Sequence, residues 1–313
     1  MNRAYTGENL VFIVGAPRSG TTWLQRLLAS HPRVRTGQES NLFCGYIGRL
    51  LQRWQREIGS EASAETATGR GGIGLPCYFT EEQYFALVKD HLFRLLDVIT
   101  EGLQAGELFV EKSPDHARYV PEIKRLLPRS RIIHLIRDPR DVVASLLAAS
   151  DGWGKAWAPK TPAAAAMMWV TSVRAACEAG RALGPDEYLE IRYEQLLSDP
   201  EATLAHAARF LGLAWDPAAV AEAVEANRPS ALRQGGGTPI PVRGEFGRQG
   251  TGTAMDPPEF VRKARQGGWR EQLGLRDKLA AWRVLRKAMR EVGYSWSARD
   301  WVGREAGGPG GRR

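Results

Sequence analysis

The sequence predicts an α/β fold, a central parallel sheet with flanking helices. Three observations lead there. Short apolar runs alternate with helical stretches along most of the 313 residues, the pattern of βαβ units. The first run, 10–15 (LVFIVG), is wholly apolar, as a strand buried on both faces must be. It passes through a glycine-bounded turn straight into a helix, an arrangement that aims free N–H groups at an anion.

The elements follow in order. Residues 21–30 place Trp23, Leu24, Leu27 and Leu28 at helical spacing, and His31-Pro32 stops the helix because the residue before proline disfavours α geometry. Residues 34–36 are a short second strand and 40–57 a helix. The stretch 59–75 (GSEASAETATGRGGIGL) is small, polar and glycine-rich, hence a flexible loop. A long helix spans 81–103. Residues 108–111 form a strand, and Lys112-Ser113-Pro114 leads into a helix ending at 127. Residues 131–138 (RIIHLIRD) read as a central strand, after which Asp138 caps a helix with Pro139 at its first position. The segment 151–162 carries Trp153, Trp157 and two prolines, as a lid or an acceptor-side loop would. A helix over 163–183, an alternating strand over 187–193 (EYLEIRY) and helices over 199–212 and 216–226 complete the pattern. Residues 227–268 hold nine glycines and five prolines, too many for regular core structure. They read as a mobile cap that closes on an anion, or as a surface insertion. The chain is expected to form one domain over 1–302, with 303–313 a flexible tail.

Composition narrows the partners. Apolar residues make up 43%, enough for a sizeable core. The net charge of +8 suits nucleic acid, a membrane surface or a small polyanion. No lysine-rich run and no aromatic-basic interleaving marks a nucleic-acid surface, so a small anion is favoured. No signal peptide and no membrane span can be read. Cys44, Cys77 and Cys177 are odd in number and widely spaced, which argues against a disulfide framework and a zinc site. A reducing cytoplasm is the simplest compartment, and no metal is expected.

Residues 15–22 read GAPRSGTT. The glycine spacing is that of a Walker A loop, but Thr21 stands where that motif has its lysine. The cation sits inward, at Arg18. Loop amides and the helix N-terminus can still hold phosphate, and Thr21 and Thr22 add hydroxyl donors. What is lost is the lysine that bridges the β- and γ-phosphates of ATP. A phosphate-bearing donor other than a magnesium nucleoside triphosphate is therefore implied. A second anion site follows the central strand: Arg137 ends it, and Ser145 lies about two turns into the next helix. Guanidinium and hydroxyl suit a phosphate dianion. Two such sites imply a ligand phosphorylated at two separated positions. An apolar strand ending in Asp138 also fits a magnesium-holding Walker B segment, which keeps a nucleotide kinase or NTPase as the alternative. A non-catalytic anion-binding protein is a third.

Together these residues resemble the sulfotransferases that use 3′-phosphoadenosine-5′-phosphosulfate (PAPS). Pro17-Arg18-Ser19-Gly20-Thr21-Thr22-Trp23 is similar to that family's 5′-phosphosulfate loop, and Arg137-Asp138-Pro139-Arg140 through Ser145 to its 3′-phosphate element. Tyr193, in Ile191-Arg192-Tyr193-Glu194, matches a tyrosine near the adenine. Arg262, Lys263, Arg265 and Gly267-Gly268-Trp269 resemble the late basic loop and its G-x-W ending, although Ala264 replaces a glycine of the cytosolic branch. Arginine at position 18 is similar to the carbohydrate, tyrosylprotein and many bacterial branches, whereas the cytosolic small-molecule branch has lysine. The resemblance implies a P-loop NTPase-like sheet, PAPS as donor, no metal, and in-line transfer of a sulfuryl group to a hydroxyl of a phenol, alcohol, sugar or peptide tyrosine. Arg18 would stabilise the charge that grows on the bridging oxygen, with Lys112 as a second cation. Glu39 resembles the catalytic glutamate of the tyrosylprotein branch and is the favoured base. His116 is the other candidate, two residues past the position where the cytosolic branch has its histidine.

Overall fold

A computed structural model describes residues 6–68, 74–243, 251–253 and 266–297. Five strands, β1 (Leu10–Gly15), β2 (Val34–Thr36), β3 (Leu108–Lys112), β4 (Arg131–Ile136) and β5 (Tyr188–Arg192), form one sheet in the order β2-β3-β1-β4-β5. Every pairing is parallel, and β1 sits at the centre between β3 and β4. All six residues of β1 and all five of β3 are buried, as strands covered on both faces must be.

Twelve α-helices surround the sheet among the described residues. They are α1 (Thr21–Ala29), α2 (Gly48–Thr68), α3 (Glu81–Ile99), α4 (Val120–Leu126), α5 (Pro139–Ser150), α6 (Pro162–Gly180), α7 (Tyr193–Ser198), α8 (Pro200–Phe210), α9 (Pro217–Ala226), α10 (Pro229–Arg233), α11 (Trp269–Gln272) and α12 (Leu275–Glu291). A π-helical segment, Leu42–Ile47, leads into α2, and a 3₁₀ turn, Pro114–Arg118, follows β3. Alternation along β1 splits the core. Leu10, Phe12 and Val14 pack with residues of α2, α3 and α4, while Val11 and Ile13 pack with Trp23, Leu24, Leu27 and Leu28 of α1 and with α8. A third cluster joins Ile136, α5, α6, Trp269 and α12.

Caps explain several boundaries. Asp138-Pro139, Thr161-Pro162, Asp199-Pro200 and Asp216-Pro217 each open a helix, with the first side chain accepting an amide of the first turn and proline at the first helical position. The expected loop over 59–75 is corrected: α2 continues to Thr68, because its alanines and glutamates are strong helix formers. The expected strand over 187–193 ends at Arg192, and Tyr193 starts α7. The region read as a cap contains α10 and a two-stranded antiparallel pair, β6 (Pro241–Arg243) and β7 (Thr251–Thr253). Arg262, Lys263, Arg265 and the tail lie outside the described residues.

Candidate active site

Every strand of the sheet carries a candidate residue at or just beyond its carboxyl end. β1 leads into the loop of Arg18, β2 into Glu39, β3 ends in Lys112, β4 leads into Arg137, and β5 into Tyr193. This is where open α/β sheets bind ligands.

The loop after β1 turns through two left-handed residues, Arg18 (φ 73°) and Gly20 (φ 97°). A non-glycine residue held there stores strain of about 1–3 kcal/mol, and such positions cluster at functional sites. Gly20 is required twice over, because a Cβ there would meet the Tyr193 ring at 2.6 Å. Gly20 caps α1, so the amides of Thr21 and Thr22 open the helix with no acceptor one turn back. Thr21 is buried and Thr22 half-buried. The Ser19 hydroxyl is buried with no hydrogen-bond partner among the described residues. An unsatisfied buried hydroxyl costs about 1–3 kcal/mol, and an anion in the loop would supply the acceptor it lacks. The loop thus fits a phosphate.

The two arginine centres, expected at separated positions, touch. Arg18 Nε donates to Ser145 Oγ at 3.2 Å, and Arg137 Nη1 donates to the Arg18 carbonyl at 3.1 Å. Adjacency of β1 and β4 makes them one floor. The Arg137 guanidinium lies over the Tyr193 ring, 4.1 Å from its centroid, and Trp23 meets the same ring edge-on at 5.9 Å. Burial, with the negative charges of Asp141 and Glu194, outweighs Arg137 and pushes the Tyr193 phenol up. The Trp23 indole donates to the Asn227 carbonyl at 2.9 Å. Trp153, from the 151–162 segment, faces the Arg18 guanidinium at 5.2 Å.

On the other side of β1, Lys112 Nζ pairs with Glu39 Oε1. Lys112 is buried, whereas the Glu39 side chain is 44% exposed, so a carboxylate open to an incoming group is anchored on a fixed cation. His116 differs. It is fully buried, its Nε2 accepts the Phe43 amide at 2.9 Å, and its Nδ1 lies 2.9 Å from Glu111 Oε2. Burial opposes a charge on the ring, but the facing Glu111 carboxylate pulls its pKa up to about 10, and the proton it shares with Glu111 lies on Nδ1 because Nε2 accepts the Phe43 amide.

Asp138, where a Walker B reading needs a magnesium ligand, accepts Arg140 Nε at 2.9 Å and Arg140 Nη2 at 2.7 Å, and caps α5 through the Arg140 amide. Spacing along the chain shows no metal-ligand set, yet the fold brings ligand-type atoms of His134, Cys177 and Glu190 within 4.8 Å of one another. They already hold neighbours: His134 Nδ1 is 2.6 Å from the Tyr188 hydroxyl, and Glu190 pairs with Arg192 at 2.8 Å. A guanidinium beside the carboxylate opposes a cation there.

Sequence reasoning missed two supports of the site. Asp141 accepts the amides of Gly267 at 2.8 Å and Trp269 at 3.0 Å, docking the end of the late loop onto α5. Glu111 accepts Ser40 Oγ at 2.7 Å and Ser113 Oγ at 2.6 Å. A carboxylate inside an apolar strand was the available signal for the second; nothing local marks the first.

Loop and sheet order define an α/β fold of the P-loop type. The chain belongs to the sulfotransferase family, whose model matches residues 10–217. It is 25% identical over 226 residues to a protein-tyrosine sulfotransferase of Drosophila melanogaster, covering 71% of this chain and 42% of that protein. A protein-tyrosine sulfotransferase 1 of Danio rerio is 27% identical over 219 residues, covering 67% of this chain and 54% of that protein. The chain spans about half the length of the curated relatives it matches. Among solved structures, a mouse sulfotransferase complexed with PAP shares the fold at a TM-score of 0.58 and 16% identity, covering 91% of this chain and 87% of that one. The sulfotransferase domain of the Synechococcus PCC 7002 olefin synthase gives 0.51 and 21%, covering 95% and 99%. The expected cytoplasmic location is corrected. The matched animal relatives are Golgi-resident membrane enzymes, and a count of cysteines does not fix a compartment. Among the described residues no helix is long and apolar enough to cross a membrane.

Proposed function

We propose that the chain transfers a sulfuryl group from PAPS to an acceptor hydroxyl, with Glu39 as the base. The observation that carries this reading is the loop's cation: Arg18, tied to Ser145 beside Arg137, with no lysine at position 21. When bound, the donor would supply an activated sulfuryl group on a good leaving phosphate. Arg18, the Ser19, Thr21 and Thr22 hydroxyls and the amides opening α1 would hold the phosphate end and meet the charge growing there. Arg137 and Ser145 would hold the second phosphate, with Gly20, Trp23 and Tyr193 walling the base side. Arg262, Lys263 and Arg265 would close over it, in a cap spanning 227–268 of a single domain 1–302. Glu39 would take the proton of the acceptor hydroxyl while Lys112 keeps the carboxylate in place.

The relatives' names point to a tyrosine hydroxyl in a peptide as the first acceptor to try, and the arginine-bearing loop fits both the bacterial and the tyrosylprotein branches. Labelled PAPS assayed against peptides, phenols, alcohols and sugars tests the reading. Transfer to at least one acceptor is expected, with 3′,5′-ADP binding unchanged by EDTA. Magnesium-dependent ATP turnover without sulfate transfer would refute it.

A further inference from the structure

Four consecutive amides just after Glu39 are each taken by one side chain of a single cluster, in which Glu111, Ser113 and His116 are buried and Ser40 is half-buried. The Ser40 amide donates to Glu111 Oε1 at 3.2 Å, Asn41 to Ser113 Oγ at 3.0 Å, Leu42 to Ser40 Oγ at 3.1 Å and Phe43 to His116 Nε2 at 2.9 Å. Glu111 is the hub. Its Oε1 also accepts both the Ser40 and Ser113 hydroxyls, and its Oε2 faces His116 Nδ1. Burial opposes the charge on Glu111, but the His116 ring and the Ser113 and Ser40 hydroxyls outweigh it and hold the carboxyl below the ordinary range.

The arrangement is placed where it matters. The amides of 40–43 enter a π-helical segment, Leu42–Ile47, whose opening residue Asn41 is left-handed (φ 51°). Such segments are rare and recur at functional sites. Glu39 immediately precedes the held amides. Lys112 lies between Glu111 and Ser113, and alternation along β3 puts it on the opposite face from Glu111. One cluster therefore grips both backbones whose side chains meet in the Glu39–Lys112 pair. A buried carboxylate is a poor choice for stability alone, since apolar groups of similar volume often serve as well. It is a good choice for selecting one loop conformation, because each amide has a single matching acceptor.

We propose that Glu111, through Ser40, Ser113 and His116, is a positioning residue that sets the Glu39 carboxylate against Lys112. The proposal rests on Glu39 being the base. His116 then serves by accepting the Phe43 amide and steadying Glu111, and it exchanges no proton with substrate.

The test is a double-mutant cycle of Glu39→Gln and Glu111→Gln on the full chain, read with labelled PAPS and the best acceptor found. Glu111→Gln is expected to lower kcat about 10–100-fold, the scale of a reacting group misplaced by about an ångström, with KM for PAPS within about twofold of wild type. In the Glu39→Gln background it should add less than about threefold, because a group acting only through Glu39 has nothing left to act on. Equal losses in both backgrounds, or a loss confined to KM for PAPS, would overturn the proposal. Hydrogen exchange supplies a readout that needs no activity. Peptides covering 40–43 should exchange at least about tenfold faster in Glu111→Gln while those of β1 stay protected. Unchanged protection at 40–43 refutes the grip. Ser113→Ala, which removes one hydroxyl only, repeats the exchange measurement if Glu111→Gln folds poorly, with the same two outcomes. If Glu39→Gln keeps the wild-type rate, the assignment of the base fails, and the exchange data still decide whether Glu111 holds the segment.

Discussion

Arg18 concentrates the chemistry of the site in one side chain. Its backbone is left-handed, its Nε reaches Ser145, and its carbonyl takes Arg137. Arg18→Ala removes the loop's cation and frees Ser145. A charge-assisted hydrogen bond contributes about 1.5–3 kcal/mol, so 3′,5′-ADP should bind about 10–100-fold more weakly by calorimetry. Arg18→Lys restores charge but not the forked guanidinium and should recover only part of that affinity. Glu39→Gln removes the proposed base and should lower kcat about 10²–10⁴-fold with little change in 3′,5′-ADP affinity. A Glu39→Gln enzyme as fast as wild type would exclude this carboxylate as the base. Arg18, Glu39, Lys112, Arg137, Ser145 and Tyr193 could each be named as a candidate from the sequence, because each sits in a motif of contiguous residues. Glu111 and Asp141 were not, because the backbone segments they hold, at Ser40 and at Gly267 and Trp269, lie 71 and 126–128 residues away along the chain.

Among the elements, the turn from β1 into α1 is the most constrained. Gly20 is left-handed and lies against the Tyr193 ring at the start of α7. Gly20→Ala meets both obstacles at once. It should cost about 1–3 kcal/mol from the backbone alone, lower Tm by several degrees and weaken 3′,5′-ADP binding as Tyr193 is pushed aside. The five strands of the parallel sheet were read from sequence to within two residues, β1, β3 and β4 from apolar runs and β5 from alternation, whereas the pair β6 and β7 was not read. The extension of α2 to Thr68 was missed because small polar residues were weighed as loop formers. Their alanines and glutamates favour helix once the π-helical segment before them has set the direction. That segment has no sequence signature of its own; it arises where the Glu111 cluster takes the amides that open it.

At the scale of the molecule, the sheet interior makes stability depend on pH. His134 lies within β4, and burial first, then the charge of Arg192, pushes its ring down to about 3. The folded ring stays neutral where the unfolded one takes a proton near 6.5. Between those values the unfolded chain binds more protons, so stability falls as pH falls, by up to about 1.4 kcal/mol per pH unit. Wild-type Tm should therefore drop from pH 7 to pH 5 more steeply than that of His134→Gln; parallel curves would contradict this. Ligand linkage acts on the same scale: 3′,5′-ADP at about 100 times its Kd should raise stability by about 2.7 kcal/mol, read as a rise in Tm.

The chain's own order of residues was enough to determine the parallel α/β architecture, the glycine-bounded loop with its displaced cation, and the family, because these depend on local periodicity and on runs of adjacent residues. Tertiary structure alone decided that the two arginine centres form one floor, that His116 is sealed inside the protein, and that Glu39 meets Lys112. Those outcomes turn on which strands lie side by side. The order β2-β3-β1-β4-β5 places Arg18 beside Ser145 and the Glu39 loop beside β3, contacts between residues 73 to 127 positions apart that no short-range pattern encodes.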